Sequence, residues 1–473
     1  MADNNLCYLS ATELGEKIAA GDISSVEATE AYLDRIAQLD GNYASYITVT
    51  ADRAREDARR ADAEIAAGNR RGPLHGVPVA VKDQFDTAGI LTTNGSSILG
   101  ENIPDSDATI MTRLKEAGTV LLGKLNMSEY ASGDAFRHPY GRPRNPWDTR
   151  RNPGTSSSGS GAATAAFLCA TSLGEDTGGS IRGPAAFCGL VGIRPTLGLV
   201  SRHGVFGASW SMDTAGPISR TVTDCAHTLA AIAGHDPKDP QTWDVPVPDY
   251  AAALDGDIKG LKIGIVTERV HTDANDPEVR DAVIAATETL GGLGAEVSDV
   301  SLPLIVNSSE ISYAIISSDA AMLNWDIIST EQLRELDHNN QVRLLMGSIV
   351  PAKAYQKAMR LREALRQQIL AALEEVHALI MPASSVPSTL IPETTGLGTK
   401  ADVIAGFKGR RGFTAPFNLA NLPALSINCG FTASGLPIGL QIAGRAFDET
   451  TLFRLAYAYE QATDWGERRP PGV

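Results

Sequence analysis

Pro153-Gly-Thr-Ser-Ser-Ser-Gly-Ser-Gly161 and Asp176-Thr-Gly-Gly-Ser-Ile-Arg182 are the two stretches on which the reading of this chain turns. They lie within a Gly- and Ser-rich region running from Asn145 to Gly216. A flexible linker of that composition would carry no buried-looking runs between its glycines, yet Ala162–Leu173 is strongly apolar. Glycine-rich and apolar together predict backbone packed tightly around something. In the second stretch, adjacent glycines let successive N–H groups converge on one point, an arrangement suited to an anion or oxyanion. Ser180, directly after them, stands where a nucleophile would attack a carbonyl held there. Taken alone, a Gly-Gly-Ser loop is more often a plain turn.

A third feature lies upstream. Gly76-Val-Pro-Val-Ala-Val-Lys-Asp83 is an apolar, β-branched run that stops on a lysine. Lys82 reads either as a side chain snorkelling from a strand end or as a buried, neutral base, since desolvation disfavours the ammonium. The serine cluster around Ser156 reads equally as a polar loop or helix N-cap. Other motifs fail. Arg182 stands where a Gly-x-Ser-x-Gly elbow needs its second glycine. Gly396–Lys400 lacks the spacing of a phosphate loop, and Gly291–Gly294 lacks the third glycine of a dinucleotide fingerprint. His75, His138 and His203 neighbour the interesting loops but read as structural.

Outward from these loops the chain alternates helices and strands. Residues 10–39 predict a helical hairpin that opens with a Ser10/Glu13 capping box. Strands are expected at Ser45–Thr50, in the run ending at Lys82, and at Thr119–Lys124. Further strands are expected at Leu261–Val266, Ala295–Val300, Leu379–Met381, Ala424–Cys429 and Ile438–Ile442. Helices are expected at 52–67, 276–290, 352–376 and from Glu449 to about Ala462. The 473 residues give a length prior of about three domains. Without repeats or long linkers, one α/β unit over 1–473 is the better expectation. It comprises an N-terminal helical region (1–70), a core carrying the loops (71–230) and a C-terminal α/β part (250–473), around a large mixed sheet of roughly 8–15 strands.

Asp+Glu number 56 against 41 Lys+Arg, and the resulting −15 charge weighs against direct contact with a phosphate backbone. No segment reaches the roughly 18–20 apolar residues of a membrane span, and no secretory signal opens the chain. The five cysteines (Cys7, Cys169, Cys188, Cys225, Cys429) are scattered, without metal or redox spacing. A cytoplasmic protein with free thiols, no cofactor and no metal is expected.

Together the three features resemble the amidase signature family. Its serine- and glycine-rich signature is matched at 153–161, at 176–182, at Ala185-Ala-Phe-Cys-Gly189 and at Gly192-Ile-Arg-Pro-Thr196. The spacing from Ser156 to Ser180 matches without a gap. Gly76–Asp83 looks like the family's lysine strand. Asn418–Pro423 and Gly435–Gln441 look like its C-terminal blocks. The resemblance implies an amidase signature fold and a Ser–Ser–Lys catalytic group, with Ser180 as nucleophile, Ser156 as relay after a cis peptide bond and Lys82 as base. It implies an oxyanion hole from the N–H groups of Thr177, Gly178, Gly179 and Ser180, and an acyl-enzyme intermediate. Met127, Tyr130 and Ser157 resemble positions bordering the family's pocket, as substrate contacts or as core support. Departures stand at Thr155, Ser158, Gly161 and Glu175, the last where a small residue is commoner.

The family spans free-standing amidases, carbamate- and urea-type hydrolases, and the glutaminase component of the glutamyl-tRNA amidotransferase. That component recognises glutamine through an acidic residue ahead of the Asn-Leu-Ala block. Here the segment is Lys408–Thr414, with Arg411 at the approximate position, and Ile349–Tyr355 replaces a tyrosine-rich helix start. On these departures the expectation is a stand-alone hydrolase of a small or aryl amide, or a carbamate. It would have a small-molecule partner only, bind no nucleic acid and no membrane, and be a monomer or homodimer. The amidotransferase component is the alternative. A non-catalytic binding member is the second, against which the intact Lys82, Ser156 and Ser180 speak. Segments 305–350 and 391–412 are the expected substrate-shaping elements.

Overall fold

The β-branched runs that end on lysines become neighbours at the heart of one sheet. The computed structural model describes residues 4–132, 138–392 and 411–473. Eleven strands among them form a single mixed sheet: β1 (Tyr46–Val49), β2 (Pro78–Lys82), β3 (Val120–Leu125), β4 (Thr171–Glu175), β5 (Val191–Arg194), β6 (Ala215–Ser219), β7 (Lys262–Val266), β8 (Glu296–Val300), β9 (Ala378–Pro382), β10 (Ala424–Phe431) and β11 (Pro437–Gly444). Their order is β1-β3-β2-β4-β6-β5-β10-β11-β9-β7-β8. β2 runs parallel to both β3 and β4, with Val81 opposite Lys124 on one side and Leu173 on the other. β4 then turns the sheet antiparallel through β6.

This topology sets the site. Parallel β2 and β4 present their C-terminal ends, Lys82 and Glu175, at one edge, the place where open α/β sheets build ligand sites. The helix Ser158–Ala165 precedes β4 and the helix Arg182–Cys188 follows it. The serine cluster and the Gly-Gly-Ser loop therefore converge on the same edge. β4, β5 and β6 are buried along their whole length. At Gly216 a Cβ would lie 2.3 Å from the Ile193 carbonyl oxygen, which is why so glycine-rich a segment still builds sheet.

The helical hairpin forms as Ala11–Ala20 and Ser25–Tyr43, and Ser10 and Glu13 make the reciprocal capping box. A second such box, Ser24 with Glu27, opens the other arm. Asp276 caps the helix Pro277–Gly292, and Ala352–Glu375 is the longest helix described. All five cysteines are free and buried. No described helix is long and apolar enough to cross a membrane.

Candidate active site

Lys82 closes β2 with its side chain wholly buried, and its Nζ lies 2.8 Å from Ser156 Oγ. Ser156 follows the cis peptide Thr155–Ser156, and its carbonyl accepts from the Ser128 N–H. Burial lowers the Lys82 pKa, which favours the neutral amine; the Glu175 carboxylate, 3.5 Å away, opposes that shift. A buried lysine against a serine hydroxyl can therefore serve as a proton acceptor only while the local negative charge stays limited.

The Gly-Gly-Ser loop is organised by Asp176. Its carboxylate accepts from the N–H groups of Gly179 (2.8 Å) and Ile181 (3.2 Å), from Arg182 Nη2 (3.0 Å) and from Asn418 Nδ2 (2.6 Å). Burial alone pushes this carboxyl up, but the Arg182 and Arg194 guanidiniums with Asn418 hold it well below the carboxylate range. Gly179 adopts φ +116°, and a Cβ there would sit 2.2 Å from Thr414 Oγ1, so only glycine fits. Its N–H is committed to Asp176. The N–H groups of Thr177, Gly178 and Ser180, by contrast, meet no acceptor among the described residues, which narrows the expected oxyanion donors to these three.

Ser180 is half-buried at the mouth of this loop. Among the described residues no hydrogen bond joins its hydroxyl to Ser156 or Lys82. Catalytic contacts of this kind commonly close only around substrate. The structure thus brings Lys82 and Ser156 into direct contact and leaves Ser180 on the adjoining loop. Met127 is buried in an apolar cluster with Ala131 and Ala208. Tyr130 packs edge-on against Phe206 at 5.3 Å. The Ser157 hydroxyl donates to the Glu175 carbonyl (3.2 Å) and accepts from the Glu175 N–H (3.3 Å), so it braces the end of β4.

The helix Ser308–Leu323 roofs the loop: a Cβ at Gly178 would meet Ile316 Cδ1 at 3.4 Å. Asp213, unsuspected in the sequence, accepts from the Ala208 and Ser209 N–H groups and stands 2.8 Å from Thr177 Oγ1. No local motif announces it. Of the other expected shaping segment, residues 393–410 and the Arg411 side chain lie outside the described residues. No group of three or more His, Cys, Asp or Glu among the described residues is arranged to hold a metal.

This fold, with a lysine–serine pair beside a Gly-Gly-Ser loop, defines a class. The amidase family model matches residues 27–453, and the chain belongs to the amidase signature family. It is a hydrolase acting on the C–N bonds of amides. The chain is 42% identical to the amidase-type component of the Moorella thermoacetica glutamyl-tRNA(Gln) amidotransferase, over 98% of this chain and 99% of that one. The solved structure of the corresponding Thermotoga maritima component matches with a TM-score of 0.81 at 31% identity, covering 100% of this chain and 99% of that one. The peptide amidase of Stenotrophomonas maltophilia matches with a TM-score of 0.83 at 32% identity, covering 98% of each chain.

These matches correct two expectations. The reading of a stand-alone small-amide or carbamate hydrolase gives way, because identity at this level runs through essentially the whole length of an amidotransferase component. Two short departures, at Arg411 and at Ile349–Tyr355, do not outweigh it. The expectation of a small-molecule partner only, without nucleic acid, falls with it, since those relatives are named as components of an enzyme of glutamyl-tRNA(Gln). The physical reason is simple. A net charge of −15 bears on phosphate contact by an isolated chain, not on an assembly in which other components supply basic surface.

Proposed function

We propose that this chain is the amide-hydrolysing component of a glutamyl-tRNA(Gln) amidotransferase, releasing ammonia from glutamine for transfer to the glutamyl group. The observation that carries this reading is the 42% identity to such a component over 98% of the chain. The assembly works in the cytoplasm with further protein components and glutamyl-tRNA, and this chain contributes one domain over residues 1–473.

In this reading neutral Lys82 accepts the proton of Ser156, which accepts that of Ser180 as its oxygen attacks the carboxamide carbon. The 2.8 Å Lys82–Ser156 contact supports the first transfer. The N–H groups of Thr177, Gly178 and Ser180 receive the developing oxyanion. The relay returns the proton to the departing nitrogen, leaving a glutamyl ester on Ser180 and free ammonia. Water, deprotonated through the same relay, hydrolyses the ester and regenerates the three groups. A lysine serves here because its amine can be held neutral by burial, which a guanidinium cannot.

The test is to assemble the chain with its partner proteins and supply glutamine and glutamyl-tRNA(Gln). Formation of glutaminyl-tRNA, abolished by Ser180→Ala, is expected. Brisk cleavage of simple anilides by the chain alone, with no glutamine hydrolysis in the assembly, would overturn the assignment.

A further inference from the structure

Glu175 is the acidic departure beside the nucleophile loop, and its surroundings contain one hydrogen too few. Thr177 Oγ1 lies 2.7 Å from Glu175 Oε1 and 2.8 Å from Asp213 Oδ1. A threonine hydroxyl has a single proton to donate, whereas two ionised carboxylates only accept. Both short contacts are satisfied only if one of the two carboxyls is itself protonated. All three residues are buried, so water cannot supply the missing donor cheaply. Burial, and then the neighbouring Glu175 carboxylate, pushes the Asp213 carboxyl up to about 7, in agreement with that count.

The charges around the pair come from every element packed on it. From β2, Lys82 Nζ stands 3.5 Å from Glu175 Oε2. After β4, Asp176 is held by Arg182, with Arg194 Nη1 at 3.9 Å. From β5, Arg194 donates to the carbonyls of Asp176 and Met212. From the roofing helix, Asp319 accepts from Ser209 Oγ at 2.5 Å, beside the N–H that Asp213 accepts. Asp176 is thus matched by guanidiniums, and the Glu175–Asp213 pair is the variable charge that Lys82 faces. With both carboxyls ionised, two negative charges would hold Lys82 as an ammonium, unable to take a proton from Ser156.

We propose that Glu175 and Asp213 hold a single proton between them across the Thr177 hydroxyl, and that this half-neutralised pair sets the pH range in which Lys82 acts as a base. The second half rests on the reading of Lys82 given under the proposed function; the first does not. Glu175 is here a positioning residue, acting on substrate only through Lys82.

Two measurements on the full chain test it. Infrared difference spectra near neutral pH should show a protonated-carboxyl band in the wild type that disappears in both Asp213→Asn and Glu175→Gln. Superimposable spectra in that region would overturn the shared proton. Labelling of Ser180 by a fluorophosphonate should accelerate with pH, and Glu175→Gln should move that ascending limb to lower pH by roughly 1–3 units, because removing an anion beside the ammonium weakens its hold on the proton. Glu175→Ser, the smaller replacement, should shift the limb in the same direction and serves if the first variant does not fold. An unmoved limb in a folded variant would overturn the link to Lys82. Absence of Ser180 labelling in the wild type at any pH would overturn that link together with the reading of the site, while the infrared band still decides the shared proton on its own.

Discussion

Lys82 and Ser156 are 74 residues apart in the chain and 2.8 Å apart in the fold. The amine is buried beneath the serine, and the serine sits where two chain segments meet the end of β2. If this pair moves the proton, Lys82→Ala should lower turnover of glutamine in the assembled enzyme by about 10²–10⁴-fold. Lys82→Arg should do the same at every pH, because a guanidinium keeps the charge but never gives up its proton. Steady-state rates across the pH range check both. An arginine variant that recovers at high pH would remove the base role.

Gly179→Ala tests how the nucleophile loop is held. The added Cβ would meet Thr414 Oγ1 at 2.2 Å, and that hydroxyl donates to the Gly178 carbonyl at 2.7 Å. The substitution therefore attacks the loop backbone and its tether at once. Activity should fall by about 10²–10³-fold through misplaced oxyanion donors, with a stability loss of about 1–3 kcal/mol from overpacking. Pairing it with Thr414→Ala should restore part of the stability but little activity, since φ +116° remains unsuited to alanine. A double-mutant cycle by urea unfolding and by rate measures the two effects separately.

What the sequence made legible follows from how local each signal is. The runs ending at Lys82 and Lys124 are β-branched or leucine-rich and declare themselves as strands. β4, β5 and β6 do not, because their small residues answer to distant neighbours. A Cβ on Gly174 would lie 2.9 Å from Ser157 Oγ, a constraint that no periodicity records. Lys82 and Lys124 look alike in sequence, each ending an apolar run, and both are fully buried. Only the fold separates them: one faces a serine, the other a cage of oxygens. Asp213 was invisible for the same reason, since its role is set by β4 across the sheet rather than by its own neighbours. Assignment to the amidotransferase branch came from identity spread over the whole chain, which no single motif carries.

Asp176 should prove the main organiser of the loop's stability. Asp176→Asn keeps its shape but leaves the Arg182 and Arg194 guanidiniums buried without a full negative charge. Removing one partner of such a pair costs about 3–5 kcal/mol. Because the folded-state pKa of Asp176 lies below its unfolded value, its contribution is present above the unfolded value and is lost as pH falls toward the folded one. The gap between wild-type and variant unfolding midpoints should therefore be full near neutrality and close in acid. An equal midpoint at neutral pH would relocate the loop's support to Thr414 and Asn418.

Lys124 offers a second pH dependence, at the alkaline end. Its Nζ donates to Thr92 Oγ1 at 2.8 Å, to Thr87 Oγ1 at 3.1 Å and to the Phe85 carbonyl, with Asp83 Oδ1 at 3.6 Å. Burial outweighs the Asp83 carboxylate and brings its pKa from 10.5 down to about 8. The folded-state value is thus depressed, so between about pH 8 and 10.5 the unfolded chain binds the extra proton and the native state does not. Stability attributable to this group therefore rises with pH through that window, by about 3 kcal/mol for a shift of this size. Below pH 8 both states are protonated and the desolvation cost stands in full. Lys124→Met removes the titration, so the difference in unfolding free energy between wild type and variant should climb in the wild type's favour from about pH 7.5 to about pH 10.5. Taking the difference cancels Lys82, which titrates in the same direction in both proteins. A difference that stays flat would mean that the oxygen cage and Asp83 hold Lys124 as a full ammonium, and that this buried lysine, unlike its neighbour on β2, is a permanent charge.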